Sequence, residues 1–223
     1  MIMSTLKEKL EDFEKQIKET TKQEDLQILF EKLAPAFLYG GFIQVREDYK
    51  AYIRTVEFYF HSEKPNGVHD PIVYHRNKRD VEGNVLMEVP YFPLLTLHAH
   101  ASGFDITFEN EKIEYRASAL IRAYEVKDKN GKYLKWDKEK RMFLKTSDYW
   151  CNTQSTYLYD MLNGFALEKE NNIIWVDYLR PHTISNKGKN RQNVFQSESE
   201  FVYKKIEGKR CERSWSFTRN EII

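Results

Sequence analysis

The sequence predicts an α+β fold: one domain with a curved, mainly antiparallel sheet, helices around it and an extra helix at the N-terminus. Three observations carry this. Apolar residues at helical spacing come first, between Leu6 and Leu33. From about Gly41 the pattern changes to successive strand-like runs parted by turn residues. In addition, 14 Tyr, 14 Phe and 4 Trp favour β structure and aromatic-lined surfaces. A chain of 223 residues, 41% of them hydrophobic, is long enough for one sizeable core, with or without an appended segment.

Each element has its own signal. Over Ser4–Lys22, Leu6, Leu10, Phe13 and Ile17 fall on one stripe, and Thr5 with Glu8 has the spacing of a capping box. Most of that helix is polar, so residues 1–24 read as an appendage docking on the domain, 25–223, or on a partner. A second helix follows at Asp25–Leu33, with Ala34-Pro35 and Gly40-Gly41 expected to break it. Strands are expected at FIQVRED, at YIRTVEFYFH and in the segment Leu97–Glu125, which follows Pro90 and Pro93. Ser62–His69 reads as a polar loop, and Asp128–Gly131 (DKNG) as a hairpin turn. Ser155–Leu162 reads as a short helix ended by Asn163-Gly164, and Asn172–Tyr178 as another strand. Ser185–Gln196 reads as a basic loop, followed by a helical or extended end.

Composition narrows the function. The net charge of +1 neither demands nor excludes nucleic acid, but its distribution is uneven. Residues 180–223 carry ten Lys/Arg against five Glu, and residues 1–34 six Lys against eight Asp/Glu. Two cysteines, Cys151 and Cys211, make neither a disulfide framework nor a zinc module. The charged N-terminus lacks the apolar core of a signal peptide, and no run approaches a membrane span, so a soluble cytoplasmic protein without a membrane partner is expected.

The chemistry concentrates in Leu97–Glu125. His98 and His100 share one face of a strand. The run ALIRAYEV is apolar except for Arg122 and Glu125, and a guanidinium is rarely buried without a carboxylate partner, so Arg122 is expected to face a polar cleft. Glu57 lies between apolar neighbours, with Tyr59 on the same face. It is either an exposed edge acid or a sunken carboxylate serving as a general base beside an aromatic platform. His98 and His100, with Asp105, could hold a metal, stack on a base or sit as core histidines bonded to backbone. Asp70–Asn77 is either a turn into a strand or a site segment offering His75 and Arg76. No Gly-rich phosphate loop, nucleophile elbow or zincin motif is present.

In order, Phe37-Leu38-Tyr39-Gly40, Glu57-Phe58-Tyr59, Asp70-Pro71 with His75, His98–Gly103 and Leu120-Ile121-Arg122-Ala123-Tyr124-Glu125 resemble the landmarks of the methylpurine (3-methyladenine, alkyladenine) DNA glycosylase family. Gln154–Leu167 faintly echoes a later helix of that family. The resemblance covers roughly Leu33 to Val176, and the Leu-Ile-Arg-Ala run is its sharpest part. It implies the glycosylase architecture, with Glu57 as the catalytic carboxylate and Arg122 as the arginine that helps hold the attacking water. Tyr59, Tyr74, His75, His98 and His100 would line the base pocket, and Glu109 stands where an asparagine helps reject wrong purines. His98 and His100 replace tyrosines, the Asp-Pro…His segment is one residue longer, and Ser102 stands near the position of an intercalating aromatic.

The expected function is therefore a monofunctional N-glycosylase removing a modified or damaged base from DNA, with single-stranded or locally unpaired targets favoured, and needing no metal or organic cofactor. Two rivals are a non-catalytic nucleotide or nucleic-acid binding module on the same fold, and a metal-dependent hydrolase using His98, His100 and Asp105.

Overall fold

The computed structural model describes residues 4–70, 72–100, 103–140, 142–153, 173–178, 188–191 and 213–219. The described residues are α+β, with two helices against a strongly curled antiparallel sheet. The elements are α1 (Leu6–Gln16), α2 (Gln23–Tyr39), β1 (Gly41–Val45), β2 (Tyr49–Ser62), β3 (Lys78–Arg79), β4 (Val85–Met87), β5 (Thr96–His100), β6 (Gly103–Thr107), β7 (Tyr115–Asp128), β8 (Tyr133–Asp137), β9 (Met142–Thr146), β10 (Ile173–Asp177) and β11 (Ser216–Thr218).

Helix α1 starts where the capping box places it: Thr5 Oγ1 accepts from Glu8 N–H, and Glu8 Oε2 accepts from Thr5 N–H. Its stripe of Leu6, Leu10 and Phe13 is buried in the same core as the sheet. The N-terminal segment thus docks on the domain. Helix α2 departs from expectation, because it runs through Pro35 to Tyr39. Proline in a helix interior costs about 3 kcal/mol. Here Leu33, Ala34, Phe37 and Leu38 continue the buried stripe across it, and their burial outweighs the lost hydrogen bond. Gly40 then ends the helix, its N–H bonded to Ala36 O.

Two 14-residue strands, β2 and β7, form the centre of the sheet. Each uses its outer edge twice. β2 pairs with β1 at one end and β11 further along; β7 pairs with β8 at one end and β6 at the other. Changing neighbours along one strand lets the sheet curl. On the core face, Phe30 of α2 stacks on Phe58 at 4.6 Å, and Phe13 of α1 meets Phe108 edge-on at 5.3 Å. The expected hairpin forms at Asp128–Gly131, where Asp128 Oδ1 accepts from the N–H groups of Asn130 and Lys132. The expected helix at Ser155–Leu162, the Gln154–Leu167 echo and most of the basic C-terminal stretch lie outside the described residues.

The β2–β7 pair contains a double irregularity that shapes the site. Core-facing residues alternate Ala51, Ile53 and then, after a skipped step, Val56, Phe58, Phe60; in β7 they run Ala117, Ala119, Ile121 and then Tyr124, Val126. The register shifts at the same level in both strands, leaving Arg54 and Arg122 as the extra residues. A bulge at Arg122 frees its side chain from the core alternation and keeps it on the face that carries Glu57.

Candidate active site

Glu57 and Tyr59 alternate on the face of β2 away from the core, opposite Leu120 and Ser118 of β7. Glu57 is only 1% exposed. Its Oε2 accepts from Arg122 Nε at 2.7 Å and from the Tyr59 hydroxyl at 3.0 Å, and Arg122 Nη2 donates to the Tyr59 oxygen at 3.2 Å. The carboxylate, guanidinium and phenol therefore close a three-membered ring of hydrogen bonds. Burial and the Glu57 charge push the Tyr59 hydroxyl pKa far up, so it stays a proton donor. Arg122 is raised by Tyr59 and Glu57 against the effect of its own burial.

Above this ring opens a cavity of about 540 Å³ lined by Tyr59, Ile72, Val73, Tyr74, His75, His100, Asp105, Ser118, Leu120 and Arg122. That is ample for a flat heterocycle and its sugar. Phe58 and Phe104, the side chains best placed to plug it, point into the core instead. β5 and β6 pair His98 with Asp105 and His100 with Gly103. Both imidazoles share a face, with ring centroids 5.9 Å apart and the Tyr74 ring 4.6 Å from His100 and 5.8 Å from His98. His98 also leans on Phe92 at 4.4 Å, and partial burial lowers its pKa. Among the described residues no group of three His, Cys, Asp or Glu side chains is arranged to hold a metal ion.

The structure brings Arg122, Tyr59, Tyr74, His75 and His100 to one cavity, and Glu57 lies behind it, bonded to Arg122 and Tyr59 rather than lining the wall. His98 stands in a second layer beside Tyr74. Glu109 does not line the cavity: it lies behind His75, where it contacts His75 Nδ1 and accepts from Arg116 at 3.1 Å and from Phe92 N–H at 2.9 Å. The Tyr59 ring is flanked on one face by the guanidinium of Arg191, 4.5 Å from its centroid, so that face is not open to a stacked ligand. Ser102 lies outside the described residues.

Several supporting residues escaped the sequence reading. Arg191 donates to Asp70 Oδ2 at 2.6 Å and to Phe58 O at 3.2 Å, while Arg213 donates to His69 O at 2.6 Å. Arg219 donates to Glu125 at 2.9 Å, beside Arg54 and the Tyr149 hydroxyl. Three arginines of the basic C-terminal stretch are thus buried partners of the sheet and its loops rather than a solvated patch. Arg116, fully buried, joins Glu63 at 3.1 Å to Glu109 and lies over the Tyr91 ring at 3.4 Å. An arginine inside the strand-like run EYRASAL was a signal of the same kind as Arg122, and reading it would have pointed to carboxylate partners.

Among the described residues no helix is long and apolar enough to cross a membrane. Comparison of the chain with protein-family models, curated proteins and solved structures gave no match.

Proposed function

We propose that the chain is an N-glycosylase that hydrolyses the bond between a modified base and its sugar in DNA, with Glu57 and Arg122 as its catalytic pair. The observation that carries the reading is a buried carboxylate, charge-paired to an arginine, directly beneath an aromatic- and imidazole-lined cavity of nucleoside size. Cleavage of such a bond passes through an oxocarbenium-like state. Water attacks C1′, the base leaves with the electrons of the C–N bond, and Glu57 takes the proton of the water. Arg122 and Tyr59 fix the carboxylate so that it needs no reorganisation as the proton arrives. A cationic base departs as a neutral molecule and needs no protonation on leaving. Reaching the bond requires the nucleotide to be extruded into the cavity, among Tyr74, His75 and His100.

The rival reading, a binding module, draws on the depth of Glu57. One experiment separates the two. The full chain is incubated with single-stranded and duplex oligonucleotides bearing a panel of modified bases, with and without EDTA, and scored for abasic sites and released base. The expected result is base release that survives the chelator, because the pair is a carboxylate and a guanidinium. Nucleic acid that is bound but never cleaved would favour the binding module, and activity lost in EDTA and restored by a divalent metal would favour the metal-dependent hydrolase.

A further inference from the structure

The cavity wall carries two buried polar atoms with neither a hydrogen bond nor an ion-pair contact among the described residues: Asp105 Oδ1 and His75 Nε2. Both residues are 3% exposed, and both line the cavity. Buried polar atoms left without partners are uncommon and costly, so two of them on residues that line one cavity point to a ligand.

Their chemistry defines what that ligand must offer. Asp105 Oδ2 is already engaged, with the Tyr74 hydroxyl at 3.5 Å and His100 Nε2 at 3.5 Å. Burial and Asp105 raise the Tyr74 pKa, so that hydroxyl keeps its proton and remains the donor of the pair. Oδ1 is left as an acceptor. For His75, Nδ1 faces Glu109, whose other oxygen accepts from Arg116 and from Phe92 N–H. A carboxylate bound in that way is an acceptor, so a ring proton sits on Nδ1, and in that tautomer Nε2 is an acceptor too.

Building on the base-pocket reading, we propose that this wall selects heterocyclic bases bearing an exocyclic amino group, the amine donating to Asp105 Oδ1, with His75 Nε2 ready for a second N–H. A keto oxygen in the same place would face a carboxylate with no hydrogen between them. The pocket then discriminates against keto bases by repulsion as well as by a missing bond. Glu109 and Arg116 act as positioning residues that hold the His75 tautomer.

The test is binding, so it does not depend on turnover. Calorimetric titrations of the full chain use three pairs: deoxyguanosine and deoxyinosine, which differ only in the 2-amino group, and deoxycytidine with deoxyuridine and deoxyadenosine with deoxyinosine, in which a keto oxygen and a ring N–H replace the amino group and a bare ring nitrogen. The amino member of each pair is expected to bind at least about tenfold more tightly, the ratio of one charge-assisted hydrogen bond. Asp105→Asn, which keeps the shape but adds a donor, is expected to erase or invert that preference. Equal binding within the wild-type pairs, or a preference that survives Asp105→Asn, overturns this proposal and leaves the glycosylase reading standing. No binding of any of the nucleosides overturns both. The wild-type ratios decide the matter even if the variant fails to fold.

Discussion

At the scale of single residues, the site depends on how one carboxylate oxygen is shared. Glu57 Oε2 receives both Arg122 Nε and the Tyr59 hydroxyl, so removing either donor leaves the other to hold a buried charge. A hydrogen bond to a charged group contributes about 1.5–3 kcal/mol. Tyr59→Phe is therefore expected to lower kcat/KM for base release by roughly ten- to a hundredfold while the chain stays folded; an unchanged kcat/KM would remove Tyr59 from the machinery. Arg122→Lys is a sharper substitution. The ammonium keeps the charge but not the fork that reaches Glu57 through Nε and Tyr59 through Nη2. Turnover should fall as far as in Arg122→Ala, and a lysine variant with near wild-type rates would mean that charge alone suffices. Glu57 beside Tyr59, and Arg122 in an apolar run, were legible in the sequence because each breaks a hydrophobic pattern. Arg191 over Tyr59 was not, since about 130 residues and several turns separate partners that only the folded chain brings together.

At the scale of elements, strand positions were more legible than strand irregularities. The expected runs FIQVRED and YIRTVEFYFH appear as β1 and β2, and the DKNG turn joins β7 to β8. The helix break expected at Ala34-Pro35 failed because local propensity is weaker than burial of the continuing stripe. The paired bulges at Arg54 and Arg122 were visible only as a change of phase, Ile53 to Val56 and Ile121 to Tyr124, which alternation alone cannot distinguish from a strand end. The loop between β2 and β5 is anchored to β7 by Arg116, whose guanidinium reaches Glu63, Glu109, Asn77 Oδ1 and the Pro90 carbonyl. Removing one partner of a buried ion pair costs about 3–5 kcal/mol, because the other charge is left in the interior. Arg116→Ala is expected to destabilise the fold by that order in urea denaturation, and a loss below about 1 kcal/mol, the scale of surface pairs, would show that the anchor is solvated. Gly188 is a second anchor. A Cβ there would fall 1.8 Å from Ser214 O, so Gly188→Ala should loosen the segment that carries Arg191 and lower the melting temperature; an unchanged melting temperature would contradict this.

At the scale of the whole molecule, the interior is unusually rich in paired charge, and its pH response follows. His61 is buried, and desolvation together with the nearby arginines and His69 holds its pKa well below the ordinary 6.5. Its Nδ1 accepts from Asp70 N–H at 3.1 Å, which is the neutral form. As pH falls through 6.5 the unfolded chain takes up this proton and the folded chain does not. Stability is thus full above that value and declines below it, by at most about 1.4 kcal/mol per pH unit from this group. His61→Gln should flatten the loss of melting temperature between pH 7 and pH 5, and identical slopes in the two proteins would contradict the assignment. The central claim concerns chemistry at Glu57, and single-turnover release of base from an oligonucleotide substrate tests it most directly. Glu57→Gln preserves the side-chain shape and removes the base, so the rate is predicted to fall by ~10²–10⁴-fold while the oligonucleotide remains bound. Release by the Gln variant at the wild-type rate would contradict the account.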